Sequence, residues 1–282
     1  MRGRSVNRGR GRSLNRNTGA RHAAAARALV ARFTAALGLA VMVMTATAAR
    51  AQESSSGDHW TFEFTPYLWL AGLSGTVGVA PNLPTTSVNA SFGDVLSHLD
   101  AGFMGLGEVR YGRFMLLTDV SYVSLSADAG NSGALLGSAE VHAKSFNSTV
   151  EGGYRIVDSP SLTADGLAGL RVFSVHNEID FSGGILPPSS PSASDAWVDP
   201  VIGARANAPL GSGFSLNGYA DVGGFGISSD WTWQIYGGFG YQISDSIAAH
   251  VGYRYLDVHH EDGGFLYDVS QQGPLVGLGI RF

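Results

Sequence analysis

The densest run of ligand-type side chains in the sequence is His259-His260-Glu261-Asp262, a composition suited to binding a transition metal or moving a proton. Neighbouring residues of a strand point to opposite faces, so the two histidines cannot hold one ion without a turn between them. His250 lies four residues before Arg254 and would share its strand face, a position from which it could orient a serine or a carboxylate. No His-x-Ser or nucleophile-elbow pattern accompanies it, and no catalytic residue or metal ligand is assigned. The larger chemical set is dispersed. Glu63, Glu108, Asp119, Glu151, Asp165, Asp199 and Asp221 recur along the chain with Arg110, Arg155, Arg171, Arg205, Arg254 and Arg281. Gathered on one surface, these carboxylates and guanidiniums would form a network of bidentate pairs, or line a pore with opposed charges.

What gathers them is a period of two. Val276, Leu278, Ile280 and Phe282 alternate with Gly277, Gly279 and Arg281. Ile247, Ala249, Val251, Tyr253 and Tyr255 alternate with Ala248, His250, Gly252 and Arg254, and Trp231 to Ile243 repeats the pattern. Segments of about ten residues, apolar on one face and small or polar on the other, are the signature of transmembrane β-strands. A charge facing lipid at mid-depth costs about 2–4 kcal/mol, so every listed charge is assigned to the lumen by its strand's phase.

The expected fold is all-β, an antiparallel transmembrane β-barrel. Ten spans begin near Trp60, Ala101, Arg113, Glu140, Leu162, Ala196, Gly213, Trp231, Ile247 and Gln272. Between the first two, Leu73 to Phe92 splits at Pro81-Asn82-Leu83-Pro84 into two short alternating runs. Twelve strands are preferred if these span, ten if the hairpin lies in a loop; either count is even, as single-chain bacterial barrels require. Gly93 to Leu99 reads as a short helical turn before the next strand. Tight turns at Tyr111 to Arg113, Val157 to Ser161, Ala208 to Gly213 and Ser244 to Ser246 alternate with longer acidic stretches at Ser126 to Ala139, Asn177 to Asp195 and Val258 to Gln272. Short periplasmic turns opposite long outer loops are the habit of outer-membrane barrels.

Composition agrees. Of 282 residues only 15% are charged, there is no cysteine, and 39 are glycine. An ordinary cytosolic enzyme has about a quarter charged. The absent cysteine excludes disulfides, thiolate metal sites and a cysteine nucleophile. The formal net charge of -5 joins two unlike parts, because ten of the eighteen basic residues and none of the 23 acids precede Gln52. The remainder carries eight bases against 23 acids, about -15, which excludes a nucleic-acid-binding body. Residues 1–51 read as an N-terminal extension and signal peptide, with Phe33 to Ala48 apolar and Ala49-Arg50-Ala51 as the cleavage site. The Arg-rich start is long for a signal, and initiation at Val30 is preferred over an RNA-binding arm. Residues 52–59 form a short periplasmic lead and 60–282 the barrel.

The excess acid falls at the expected outer end, at Asp94, Asp100, Asp128, Glu140, Glu178 and Asp180, then Asp195, Asp230, Asp257, Glu261, Asp262 and Asp268. Solvation accounts for such a rim; its oxygen ligands also suit divalent cations, calcium or magnesium.

Several motifs resemble a family of uncharacterised proteobacterial outer-membrane β-barrel proteins, some described as porin-like. They are Thr65-Pro66-Tyr67-Leu68-Trp69, the run Trp197 to Arg205, Asp221 to Gly226 with Ser229 to Gln234, and Gly252 to Asp257. The resemblance implies a barrel in the Gram-negative outer membrane and carries no catalytic residues. A terminal Phe282 on the Val276, Leu278, Ile280 face looks like the signal read by the barrel-assembly machinery. The expected role is porin-like or structural, with a charge-networked lumen and no cofactor. Outer-membrane lipids and lipopolysaccharide are the expected surroundings, with no nucleic acid. The alternatives are an outer-membrane enzyme acting on lipid or peptide, and a barrel that binds or adheres through its loops.

Overall fold

The computed structural model describes residues 59–78, 85–131, 137–183, 190 and 192–282. The extension, the cleavage site and the Pro81 to Pro84 break lie outside the described residues. Twelve strands and one short helix follow in order: β1 (Trp60–Trp69), β2 (Gly72–Gly78), β3 (Thr86–Ala90), α1 (Phe92–Ser97), β4 (Leu99–Tyr111), β5 (Phe114–Asn131), β6 (Gly137–Ser159), β7 (Leu162–Gly183), β8 (Ser192–Gly211), β9 (Phe214–Gly223), β10 (Trp231–Ser244), β11 (Ile247–Asp262) and β12 (Phe265–Arg281). From β4 onward each strand pairs antiparallel with the next, and β1 pairs with both β4 and β12. Glu63 opposite Arg281 and Leu68 opposite Val276 close the ring.

All twelve strands share one sheet, but ten of them form the closed barrel. The Leu73–Phe92 segment therefore takes the loop placement rather than the preferred spanning one. Its strands are seven and five residues long, short of the 9–11 needed to cross a bilayer. Here β2 extends the sheet beside the upper half of β12, Gly72 opposite Gln272 and Gly78 opposite Leu266, where β1 has already ended. α1 follows β3. Its capping box joins Ser91 and Asp94, and the Ser91 hydroxyl and N–H hold the Asp94 carboxyl below its ordinary range.

Four two-residue turns define one end of the barrel, between β4 and β5, β6 and β7, β8 and β9, and β10 and β11. At Ser212-Gly213 both residues have positive φ, 53° and 81°, the backbone twist that matches two flanking strands. Around this end, aromatic pairs face outward: Trp60 with Tyr111 at 4.9 Å, Phe114 with Tyr154 at 5.2 Å, and Phe214 with Tyr241 at 4.7 Å between ring centroids. A second girdle holds Trp231 and Tyr253, with Trp233 stacked on Tyr255 at 4.8 Å. Ten residues separate Trp231 from Tyr241, about 34 Å along a strand and roughly 26 Å after a 40° tilt, which matches the apolar band of a membrane barrel.

The acidic stretches expected as irregular loops are largely strand. β6 runs 23 residues and β7 22, and they remain paired as far as Gly137 opposite Gly183. Alternation fails to reveal this because its polarity inverts above the upper girdle. Along β11, Val251 and Tyr253 face outward below, while Leu256 and Val258 face inward above. Phe173 and Val175 are likewise buried inside β7, while His176 and Glu178 lie on its outer face. Lipid and water make opposite demands on the same wall.

If the β2–β3 hairpin stands outside the ring, removing it leaves closure intact. Gly72 lies beside Ala90 and Ser91, a Cβ built on it falling 3.1 Å from the Ala90 carbonyl oxygen, so a short linker bridges the gap. A chain with residues 72–90 replaced by Gly-Ser-Gly is expected to keep heat-modifiable migration on gels. Identical mobility before and after boiling would place the hairpin in the barrel wall.

Candidate functional site

All thirteen charges assigned to the lumen lie on the inner face, and the ring is narrow enough for them to meet. They divide into tiers. Nearest the short turns, Arg281 pairs with Glu63 at 3.0 Å and stays half exposed. Above it, Asp165 receives three arginines, Arg155 Nε at 2.6 Å, Arg110 Nη2 at 2.9 Å and Arg205 Nε at 3.0 Å. Glu108 bridges two of them, taking Arg205 Nη1 at 2.8 Å and Arg110 Nε at 3.2 Å.

The next tier is more deeply buried. Arg171 has no exposed surface; it pairs with Asp221 and donates to Thr149 Oγ1 at 3.0 Å and Thr232 Oγ1 at 3.2 Å. Arg254 reaches across from β11 to Asp119 on β5 at 2.8 Å. It also donates to Tyr67 Oη at 2.9 Å and to Gln234 Oε1, and its guanidinium carbon sits 4.6 Å over the Trp69 ring. Tyr67 in turn donates to Asp119 at 2.5 Å.

Two carboxylates depart from the expected arginine pairing. Glu151 has no arginine in ion-pair range among the described residues; it accepts from Tyr219 at 2.8 Å. The same hydroxyl lies 2.5 Å from Asp221, so two carboxylates share one phenolic hydrogen. Asp199 lies opposite Arg171 in register but binds the β9–β10 turn instead, taking Ser229 N–H at 2.7 Å and its hydroxyl at 2.6 Å. The reason is geometric. Arg171 is directed toward β9 and β10, and the inward-folded Ser229 supplies the two donors that Asp199 requires.

Above the charges the lumen is apolar. Tyr67 and Trp69 of β1, Phe173 of β7, Trp197 of β8, Leu256 and Val258 of β11, and Tyr267, Val269 and Leu275 of β12 form one buried cluster. Trp197 stacks flat on His260, ring centroids 4.0 Å apart and planes 2° from parallel, and packs against Phe173 at 5.0 Å and Tyr267 at 5.6 Å. β7 and β8 stand opposite β1 and β12 in the ring, so these contacts cross the lumen. Sequence reasoning passed over this cluster, although Tyr67 and Trp69 continue the phase of Glu63, and Trp197 that of Asp199.

Adjacent His259 and His260 do point apart. His260 is inside, with Nδ1 2.9 Å from Ser228 O and Nε2 3.3 Å from Asp195. His259 is outside, between Asp230 at 3.4 Å and Asp268 at 3.5 Å. The acidic rim is also met by His142, 3.3 Å from Asp180, and by His176, 3.6 Å from Glu178. Of Val276, Leu278, Ile280 and Phe282, expected from the sequence as an assembly signal, the first three lie on the outward face of β12 and Phe282 just after it; Val276, Leu278 and Phe282 are exposed.

From the level of Asp119, Glu151 and Arg254 down past the arginine tier, the lumen holds a cavity of about 710 Å³ reaching the rim at Gly213, Tyr241 and Arg281. Arg110, Arg155 and Arg205 line it from β4, β6 and β8, together with Ser215 and Asn217 of β9, Gly240 of β10, His250 of β11, and Glu63 and Arg281.

No family model and no curated protein sequence matches the chain. Among solved structures it is similar to the outer membrane protease OmpT from Escherichia coli, at 10% identity over 82% of this chain and 99% of that one, with a TM-score of 0.49. The translocator domain of the autotransporter NalP from Neisseria meningitidis is similar at 13% identity over 89% and 98%, TM-score 0.39. The transport unit of the autotransporter AIDA-I from Escherichia coli follows at 10% over 82% and 92%, TM-score 0.40. At such identities these likenesses concern the β-barrel fold alone.

The tiers predict unequal costs. Removing one partner of a buried pair leaves the other charge uncompensated, so Arg171→Met is expected to cost about 3–5 kcal/mol. Arg281→Gln breaks an exposed pair and should cost under about 1 kcal/mol. Urea unfolding of the barrel refolded in lipid vesicles measures both, and equal midpoints would remove the load assigned to the enclosed tier.

Proposed function

We propose that this chain is an integral outer-membrane β-barrel whose resting lumen is closed, with a structural envelope role rather than that of an open diffusion pore. The observation that carries this is the cluster around Trp69, Phe173, Trp197, Leu256 and Tyr267, which meets across the ring above the enclosed ion pairs. A ten-stranded lumen is narrow enough for side chains to fill, whereas barrels of 16–18 strands leave an aqueous channel. The two-residue turns support a periplasmic cavity end and a tall β5–β8 wall on the cell exterior. The apolar belt, its two aromatic girdles and the inward phase of the charges support membrane insertion. Val276 to Phe282 support recognition by the assembly machinery, with lipid and lipopolysaccharide around the belt. A porin-like role would require the cluster to move.

Planar-bilayer recording tests the closed state. The refolded, heat-modifiable barrel is expected to give no discrete current steps over a wide voltage range. Reproducible unitary conductance from the unmodified chain would overturn it.

A further inference from the structure

Closure at the loop end leaves the cavity as a cup entered from the short-turn end, and the following inference rests on that reading. We propose that the cup is a binding site for a small organic anion, a carboxylate or phosphate ester carried on a polar body.

The first ground is charge. Arg110, Arg155 and Arg205 converge on Asp165 and Glu108, three guanidiniums against two carboxylates. The tier keeps a positive charge within walls that face lipid on the outside, where an unmatched charge is expensive. Asp158 approaches Arg155 at 3.4 Å, but it lies on the exposed turn, its side chain 53% accessible, and solvent screens it.

The second ground is hydrogen bonding. Among the described residues, Nη2 of Arg155 and Nη2 of Arg205 have no protein acceptor, while Nε and Nη1 of each are engaged. Both side chains remain partly accessible and line the cup. Arg110 differs, since all three of its nitrogens are used. Two free guanidinium edges on neighbouring walls suit an oxyanion, which accepts charge-assisted bonds from both.

The third ground is the polar lining beside the arginines. Gly240 lets polar side chains close over it: a Cβ there would fall 2.6 Å from Ser215 Oγ, 3.0 Å from Asn217 Nδ2 and 3.4 Å from His250 Nδ1. Asn217 is held by Asn207 at 2.6 Å, so an ordered amide and hydroxyl patch adjoins Arg205 on β8 and β9, with Glu63, His250 and Arg281 on the remaining wall. This patch fits hydroxyl or amide groups on the body of the ligand. At about 710 Å³ the cup has the size of an ordinary small-molecule site.

Isothermal titration calorimetry on the full mature barrel in detergent micelles tests this, with glycerol 3-phosphate, succinate, inorganic phosphate and choline as probes. Saturable binding of at least one organic anion is expected, with none of choline. Glycerol 3-phosphate and succinate separate phosphate from carboxylate recognition. Arg155→Gln combined with Arg205→Gln should weaken it at least tenfold. Ser215→Trp keeps every arginine and fills the cup near its mouth, so it should weaken binding similarly even if the arginine variant folds poorly. No saturable heat with any anion, or binding that survives Ser215→Trp and the arginine pair, overturns the site. Bilayer recording on the same preparation keeps the two readings apart: a silent barrel without anion binding sinks the site alone, and a conducting one sinks the closed lumen.

Discussion

Charge cannot face lipid, and the rest of this molecule follows from that exclusion. Thirteen ionisable side chains on the membrane-spanning strands have one destination, the inside of a ring of ten strands. At that circumference opposite walls come within side-chain reach, so the charges must compensate one another or remain unpaired in a poorly hydrated interior. Backbone ladders join only neighbouring strands. The contacts of Arg254 with Asp119, Arg171 with Asp221 and Tyr219 with Glu151 join strands that are not neighbours. They also fix register, because a slip of one residue would turn an arginine into the bilayer. The ion pairs therefore specify the barrel more than they stabilise it relative to an apolar filling.

The same wall obeys the opposite rule once it leaves the membrane. Above the girdle marked by Trp233 and Tyr255, water lies outside, so apolar residues move inward and His142, His176 and His259 occupy the outer face among carboxylates. The interior there packs like the core of a soluble barrel, with Trp197 between Phe173, His260 and Tyr267. The seal is thus a consequence of wall height. Strands that ended at the lipid surface, as β1 and β9 nearly do, would have no second interior to fill.

This inversion explains what was legible in the sequence and what was not. Within the bilayer, Val276 to Phe282 and Ile247 to Arg254 alternate without a break, so phase, lumenal charge and turn positions could be read directly. Past Tyr255 the apolar phase crosses from odd to even positions at Leu256 and Val258, and a break in alternation looks like a loop. The strands of β6 and β7 beyond Asn147 and Phe173 were hidden in the same way. Hairpin Leu73–Phe92 was ambiguous for a different reason: it alternates, but its runs are too short to span, and only the early end of β1 beside the longer β12 gives β2 a partner. The pairing of individual charges was not legible. Phase assigns a side chain to the lumen, whereas the partner depends on which strands face each other across it, which no local pattern records. Asp199 shows the limit, since its donors come from a turn that folds inward at Ser229.

The cup follows from an unequal distribution of bulk around the ring. Long arginines occupy the inner face of β4, β6 and β8 at one level, and they fill their side by reaching for Asp165 and Glu108. On β10 to β12 the inner positions include His250, Arg281 and several glycines, whose places are taken by neighbours: Ser215 and Asn217 at Gly240, Tyr236 at Gly252, Thr65 and Tyr67 at Gly277, Glu63 and His250 at Gly279. On that side Arg281 pairs with Glu63 and Arg254 with Asp119, so the arginines of β4, β6 and β8 are left to share Asp165 and Glu108. Space therefore remains where the arginines run out of partners, and it opens toward the end where the strands stop at two-residue turns. Sealing above and vacancy below arise from one cause, the match or mismatch between facing walls at each height of the barrel.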